Sequence, residues 1–198
     1  NMAAVKSLCT RAIVLEKGYV TFNGEVNKAI DYYLNDKVDV LNVKKFNNTF
    51  ENDIFKLSEI SVNKEGGAFE EIIDEFQGIE LNTVLEFKKK PINLHFTYAL
   101  KSENGTVLFT ISHISKNIKL IQGINVITCK FPKGFLNIGT YYLDAYLIEN
   151  SKKTLFVEAD IFSFTVQVGE RKLGTWMGKE PGFIKPIFDW KIENKNEN

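Results

Sequence analysis

The sequence lacks any apolar run approaching the roughly 20 residues that a membrane-spanning helix needs. Its first residues also lack the basic and then apolar layout of a secretory signal. Cysteine is scarce, since Cys9 and Cys129 are too few for a disulfide framework, and this favours a reducing compartment. Basic and acidic side chains balance at 25 each, which argues against binding to nucleic acid or an anionic membrane through bulk charge. These absences predict a domain of the cytosol with no nucleic-acid partner.

Histidine is as rare as cysteine. His95 and His113 have no third residue at a spacing that would complete a zinc site, and neither cysteine has the context of a nucleophile. We therefore expect no metal and no catalytic site. Apolar residues are plentiful at 44% of the chain, and aromatic residues reach 13%, which suffices for one packed core.

The first 34 residues are patterned differently from the rest. Residues 2–9 place apolar side chains at helical spacing, and two short apolar runs follow on either side of Gly18. Residues 25–34 repeat apolar side chains at i, i+3, i+4 and i+7. We predict a helix–hairpin–helix unit over 1–34, which is too small to hold a core of its own and is expected to end a larger domain.

In the rest of the chain, apolar and polar residues mostly alternate, with a period of two. Residues 35–54 have no sustained period and are rich in Asn, Lys and acids, so we predict a polar linker there. About eight short alternating runs follow, the last two over 154–158 and 161–168, with no long helix between them. This pattern predicts an antiparallel β-sandwich over residues 55–192.

One local motif refines the fold class. Residues 136–141 (LNIGTY) resemble the tyrosine corner of immunoglobulin-like sandwiches, in which a tyrosine near a strand start bonds to upstream backbone. Neither a core tryptophan nor a cysteine pair accompanies Tyr141, so the likeness is to the architecture and not to antibody domains. The predicted class is mainly β, an immunoglobulin-like antiparallel β-sandwich preceded by the helix–hairpin–helix remnant.

Two parts of the chain carry a resemblance to a known family. Residues 1–5 (NMAAV), 9–15 (CTRAIVL) and 29–34 (AIDYYL) resemble the end of the nucleotide-binding domain of ABC transporters that export O-antigen, capsular or teichoic-acid polysaccharides. A polar linker, a sandwich with L-x-x-G-x-Y and a terminal strand ending in Trp190 then follow. This order is similar to the C-terminal region of the ATP-binding subunit of O-antigen exporters, the Wzt-like family.

The resemblance implies a function. Residues 1–34 would end an ABC nucleotide-binding domain, and residues 55–192 would be a non-catalytic carbohydrate-binding domain. In the family this domain recognises the modified non-reducing end of a polysaccharide carried on undecaprenyl pyrophosphate, and so commits it to export. ATP and Mg²⁺ belong to the upstream domain, and the chain has no Walker A motif, so we expect no cofactor and no ATP hydrolysis here.

The resemblance also implies partners and a location. The family domain is a homodimer with C-terminal strands exchanged between protomers, and the ATPase domain contacts a transmembrane permease. The protein would lie in the cytoplasm, peripheral to the inner membrane. A structural sandwich that dimerises the ATPase or docks another protein, without binding glycan, is the alternative function.

Strand alternation predicts the side chains that a glycan would meet. If Tyr141 and Leu143 face the core, then Tyr142, Asp144 and Tyr146 face outwards. The same rule predicts that these residues of neighbouring strands also face outwards: His95, Thr97, Thr110, Ser112, Ser163, Thr165 and Gln167. If the four strands share a sheet, this face offers aromatic rings and hydroxyls to a sugar. An ordinary solvated face is the alternative, because Thr and Tyr favour strands in any case.

The end of the chain holds both tryptophans. Trp176 lies among glycines and is a candidate either for sugar contact or for loop packing. Trp190 ends an apolar stretch, and we expect it in the core or at a dimer interface. Residues 193–198 are predicted to be a disordered tail.

Overall fold

The computed structural model describes residues 8–16, 18–26, 28, 29, 32, 42–116, 118–170, 180–186 and 188–192. Its first element is an antiparallel hairpin of β1 (Arg11–Glu16) and β2 (Tyr19–Glu25). Gly18 joins the strands at a φ of 87°, in the left-handed region that glycine favours. The predicted hairpin is confirmed. The helices predicted beside it fall mostly outside the described residues, and the helix–hairpin–helix remnant is not supported.

Two sheets follow the hairpin. The four-stranded sheet contains, in spatial order, β3 (Val43–Glu51), β4 (Phe55–Lys64), β6 (Ile79–Phe87) and β9 (Gly123–Phe131), all antiparallel. The five-stranded sheet contains, in spatial order, β5 (Ile73–Asp74), β11 (Lys153–Gln167), β10 (Gly139–Glu149), β7 (Leu94–Ser102) and β8 (Val107–Ser112). Only the short β5 runs parallel to its neighbour.

The connection from β8 to β9 begins with a 3₁₀ helix, His113–Lys116. Within the part of the chain that the structure describes, no helix is long and apolar enough to cross a membrane.

The sheets pack face to face around one apolar core. Strand β6 shows why, since its odd-numbered residues are buried along its whole length while the even-numbered ones are partly exposed. Ring contacts join the sheets, as between Phe55 of β4 and Phe156 of β11, whose centroids are 5.3 Å apart. Each large apolar side chain buried here contributes roughly 1.5–3 kcal/mol. The predicted mainly-β antiparallel sandwich is confirmed.

The predicted linker over 35–54 is wrong in its second half. Residues 43–51 form β3, which pairs with β4, and Phe46 is only 4% exposed in the core. The described sandwich therefore begins at residue 43 and not at 55, while residues 35–41 lie outside the described part of the chain.

An irregularity in β3 explains the error. Asn47 and Asn48 take positive φ values of 20° and 67°, and the pairing register with β4 shifts between Lys45 and Phe50. Asparagine tolerates this backbone better than most residues. The shift removes the period of two that marks a regular strand.

The tyrosine corner is confirmed. The Tyr141 hydroxyl is buried and lies 2.7 Å from the Asn137 carbonyl oxygen and 2.9 Å from that of Phe183. Leu136 and Ile184 form an antiparallel bridge beside it. The corner therefore fastens residues 180–186 against the start of β10.

An ion pair also holds this terminal segment. The Lys185 Nζ lies 2.5 Å from Glu75 Oε2, and Glu75 is almost fully buried. Trp190, in contrast, is 87% exposed, so the expectation that it fills the core of its own chain is wrong. The predicted tail, 193–198, lies outside the described residues.

Candidate functional site

Strand β10 has one face in the core and one turned away from it. Tyr141, Leu143, Ala145 and Leu147 are all fully buried, as the alternation predicts. Tyr142 and Tyr146, on the opposite side, are partly exposed. We call that side of the five-stranded sheet the outer face.

The sheet brings the predicted residues of all four strands onto the outer face. Residues directly opposite each other in an antiparallel pair share a face. The pairs that extend this face from β10 and β7 are Tyr146 with Thr97, Ile148 with His95, Thr140 with Thr165, Tyr142 with Ser163, Thr97 with Ser112 and Ala99 with Thr110. Gln167 follows Thr165 by two positions on β11, which places it on the same side. The expectation that these strands share a sheet is confirmed.

The two tyrosines define an extended aromatic track. Tyr142 and Tyr146 are four residues apart on one strand, which separates them by about 13 Å. Both rings are partly buried among neighbours on β7 and β11. A ligand that contacts both rings must therefore be longer than one sugar ring and must lie along β10.

Asp144 lies between the tyrosines, but it is not an open carboxylate. It is only 8% exposed, and its Oδ1 lies 2.5 Å from Lys101 Nζ and accepts a hydrogen bond of 2.8 Å from the Asp160 backbone N–H. The same Lys101 Nζ lies 2.6 Å from Asp160 Oδ1. Lys101 thus joins a buried carboxylate to one whose side chain is 60% exposed.

The protonation state of this cluster follows from its contacts. Burial disfavours the charged ammonium of Lys101, but the hydrogen bonds to Asp144 and Asp160 outweigh burial, and the pKa of Lys101 is raised. Lys101 therefore stays a cation at neutral pH. Together with the exposed Asp160 it offers hydrogen-bonding groups beside the ring of Tyr142, which lies opposite Lys101.

His95 marks one end of the outer face. It is 8% exposed, and burial, with a smaller effect of the charge of His113, lowers the pKa of His95. It is therefore a neutral imidazole at pH 7. Toward the other end, the hydroxyls of Thr140 and Thr165 lie 3.1 Å apart and can bond to each other.

Sequence reasoning missed two residues of the face. Lys101 could have been found, since it follows Thr97 and Ala99 at the alternating spacing. Asp160 lies where two strands were predicted, 154–158 and 161–168, but the structure has the single strand β11. Asp160 takes a φ of 50° there, and the register with β10 shifts across this region. The alternation of side chains along a strand therefore could not predict on which face the Asp160 side chain lies.

One predicted site residue, Trp176, lies outside the described residues. Throughout the described ranges, no group of three or more His, Cys, Asp or Glu side chains could hold a metal ion. The outer face presents aromatic rings, hydroxyls and one ion-pair cluster.

Comparison with known proteins agrees with this architecture. No family model matches the chain, and no curated protein matches its sequence. Among solved structures, the C-terminal domain of Wzt matches with a TM-score of 0.55 and 16% sequence identity, over 72% of this chain and 86% of that one. The fold expected from the sequence resemblance is thereby confirmed: this chain forms a β-sandwich similar to that of the Wzt C-terminal domain.

Proposed function

We propose that this chain is the carbohydrate-binding module of the ATP-binding subunit of a polysaccharide ABC exporter of the O-antigen type. The observation that carries the proposal is the fold match to the Wzt C-terminal domain over 72% of the chain. The resemblance of residues 1–34 to the end of an ABC nucleotide-binding domain supports it independently, because that segment precedes the sandwich.

The outer face is the proposed glycan site. Tyr142 and Tyr146 stack on the apolar faces of successive sugars, and Lys101 and Asp160 bond to hydroxyls between them. Threonine and serine hydroxyls on β8 and β11 read further hydroxyls at the margins. A buried polar group left without its partner is costly, so such a face rejects glycans whose hydroxyl pattern does not match.

The wider assignment follows from the family. The glycan is carried on undecaprenyl pyrophosphate, and the sandwich recognises its modified non-reducing end in the cytoplasm, at the inner membrane. The subunit contacts the membrane permease through its ATPase domain and forms a homodimer with exchanged terminal strands. The module itself binds no ATP or Mg²⁺ and performs no catalysis, so incubation with the glycan leaves the glycan mass unchanged.

Calorimetric titration of the 198-residue chain with the polysaccharide made by its source organism tests the glycan site. Tyr142→Ala and Tyr146→Ala are each expected to weaken binding by at least about tenfold, or about 1.4 kcal/mol, because each removes an aromatic contact surface. Tyr19→Ala is the matched control, since Tyr19 is an exposed tyrosine of the hairpin and should leave affinity unchanged.

If Tyr142→Ala and Tyr146→Ala both leave the affinity unchanged, the glycan binds at a different place on the chain. A wild-type chain that binds neither the polysaccharide nor its terminal oligosaccharide would overturn the proposal. It would favour the alternative, a sandwich that only dimerises the ATPase or docks another protein.

A further inference from the structure

The sandwich is open along one edge. Strands β8 and β9 are the outermost strands of their sheets, and a cavity of about 690 Å³ lies between them. Its lining includes Leu81, Phe96, Ile111 and Ile127 from the inner faces of the two sheets. It also includes Ser112 from the outer face. The volume falls within the range of about 300–1,000 Å³ that is usual for small-molecule sites.

Three polar side chains of this cavity, those of Thr83, Tyr98 and Asn125, already have hydrogen-bond partners. The hydroxyls of Thr83 and Tyr98 lie 2.6 Å apart and bond to each other across the two sheets. The Asn125 side chain accepts from the Ile121 N–H at 2.9 Å and donates to the carbonyls of Ile121 and Gly123 at 2.8 and 2.9 Å. His113 also lines the cavity, and its Nε2 is buried with no hydrogen-bond partner among the described residues. The cavity therefore offers one free polar atom, and its other walls favour an apolar guest.

Apolar side chains also gather at the mouth. Five of them are between 49% and 69% exposed: Ile114, Ile118, Ile121, Ile124 and Val126. Such a concentration of exposed aliphatic side chains beside a cavity is typical of a surface that a ligand covers.

The charge around the mouth has one sign. A second cavity of about 760 Å³ adjoins the first and shares His113 and Lys119 with it. Lysines line the two cavities at positions 90, 116, 119 and 130, and no Asp or Glu lines either one among the described residues. The chain as a whole balances 25 basic residues against 25 acidic ones, so this is a local excess.

Among the described residues, three of these lysines have no carboxylate partner. Lys130 pairs with Glu80 at 2.8 Å and Glu65 at 3.3 Å. Within the described ranges, Lys90, Lys116 and Lys119 form no ion pair with a carboxylate. Ammonium groups at the rim of a mostly apolar cavity are complementary to a molecule with a long apolar body and an anionic end.

We propose that this edge of the sandwich binds a single long alkyl chain that ends in an anionic head group. The alkyl chain lies between the sheets against Phe96, Ile111 and Ile127, and the head group lies at Lys116 and Lys119. A fatty acid and an alkyl phosphate share this chemistry. The site lies at the β8–β9 edge and shares Ser112 with the outer face, but neither Tyr142 nor Tyr146 lines it, so it does not depend on the proposed glycan function.

Calorimetric titration of the 198-residue chain with palmitate and with hexadecyl phosphate, each below its micelle-forming concentration, tests the site. Saturable one-to-one binding of either compound is expected. Affinity should rise by roughly threefold to fourfold for each added methylene from ten carbons to sixteen, because each methylene becomes buried. Binding of palmitate alone or of hexadecyl phosphate alone identifies the head group, and hexadecyltrimethylammonium should bind at least about tenfold more weakly.

Cys129 gives an independent readout, because it lines the cavity while Cys9 is exposed on the hairpin side of the chain. Bound palmitate or hexadecyl phosphate should slow the alkylation of Cys129 by iodoacetamide and leave that of Cys9 unchanged. Mass spectrometry of the alkylated chain measures both rates in one sample.

Charge variants complete the test. The double variant Lys116→Gln, Lys119→Gln should weaken binding by about tenfold or more. The control Lys45→Gln, Lys133→Gln removes the same charge at exposed positions outside the cavities and should not change it. Any of four results would overturn the proposal. They are an equal loss of affinity in both double variants, no saturable binding, no dependence of affinity on chain length, and equal binding of the cationic amphiphile. The proposal would also be overturned if two copies of the chain associate through the β9 edge and thereby abolish binding of the alkyl compounds.

Discussion

At the scale of single residues, facing outwards and being exposed are different properties. Asp144 and His95 both lie on the outer face, yet each is only 8% exposed. Alternation assigns a side chain to a face, but the length of the neighbouring side chains decides how much of it solvent reaches. For Asp144 the covering neighbour is Lys101, so the polar centre of the face is a cluster rather than one acid.

Tyr141 is the residue whose hydroxyl we expect to matter most for stability. Tyr141→Phe leaves the Asn137 carbonyl without the hydroxyl that donates to it, while the Phe183 carbonyl still accepts the Asn137 N–H at 3.0 Å. The variant should reduce the free energy of unfolding by about 1–3 kcal/mol. Urea unfolding measures the change. Tyr19→Phe, on the exposed hairpin, should stay within about 0.5 kcal/mol of wild type. Equal effects in the two variants would contradict the role of the tyrosine corner.

His95 should make stability depend on pH. Its pKa is lowered by burial, with a further effect of His113, so below pH 6.5 the unfolded chain binds a proton that the folded chain does not. Stability therefore falls as the pH drops through 6.5 towards the lowered pKa. Urea midpoints at pH 7.5 and 5.5 should differ less in His95→Gln than in wild type. An identical difference in both proteins would show that His95 does not contribute.

At the scale of elements, β3 and β11 show where the alternation of residues in the sequence fails to locate a strand. The period of two was enough to indicate strands such as β6 and β9, in which exposure alternates along the whole strand. It missed β3, where Asn47 and Asn48 break the alternation, and it divided β11 at Asp160. Irregular backbone makes register depend on contacts with distant strands, which a local pattern does not contain.

β3 is therefore the element that most needs a direct test. Phe46→Ala should lower the free energy of unfolding by about 3–5 kcal/mol if β3 packs into the core, since it leaves a cavity beside Phe50. Lys45→Ala, one position away and exposed, should change it by less than about 0.5 kcal/mol. A small effect of Phe46→Ala, measured by urea unfolding, would instead support a linker at this segment.

At the scale of the whole molecule, the sandwich separates two kinds of surface. The outer face of the five-stranded sheet is polar with two aromatic rings. The β8–β9 edge has an apolar cavity with lysines at its rim, and Lys116 and Lys119 have no carboxylate partner among the described residues. The sequence placed ten of the eleven predicted site residues on their strands, and the register then brought those ten together on one face. The edge cavity could not have been predicted, because it depends on how far two sheets separate.

The central claim is that the outer face binds glycan. Backbone amide chemical shifts of the 198-residue chain, recorded by NMR during titration with the oligosaccharide from the non-reducing end of its polysaccharide, test it most directly. We predict saturable shifts concentrated on β10 and β7, around Tyr142, Tyr146 and Lys101, with β4 and β6 unaffected. Shifts confined to the four-stranded sheet or to the β8–β9 edge, or no shifts at saturating oligosaccharide, would contradict the account.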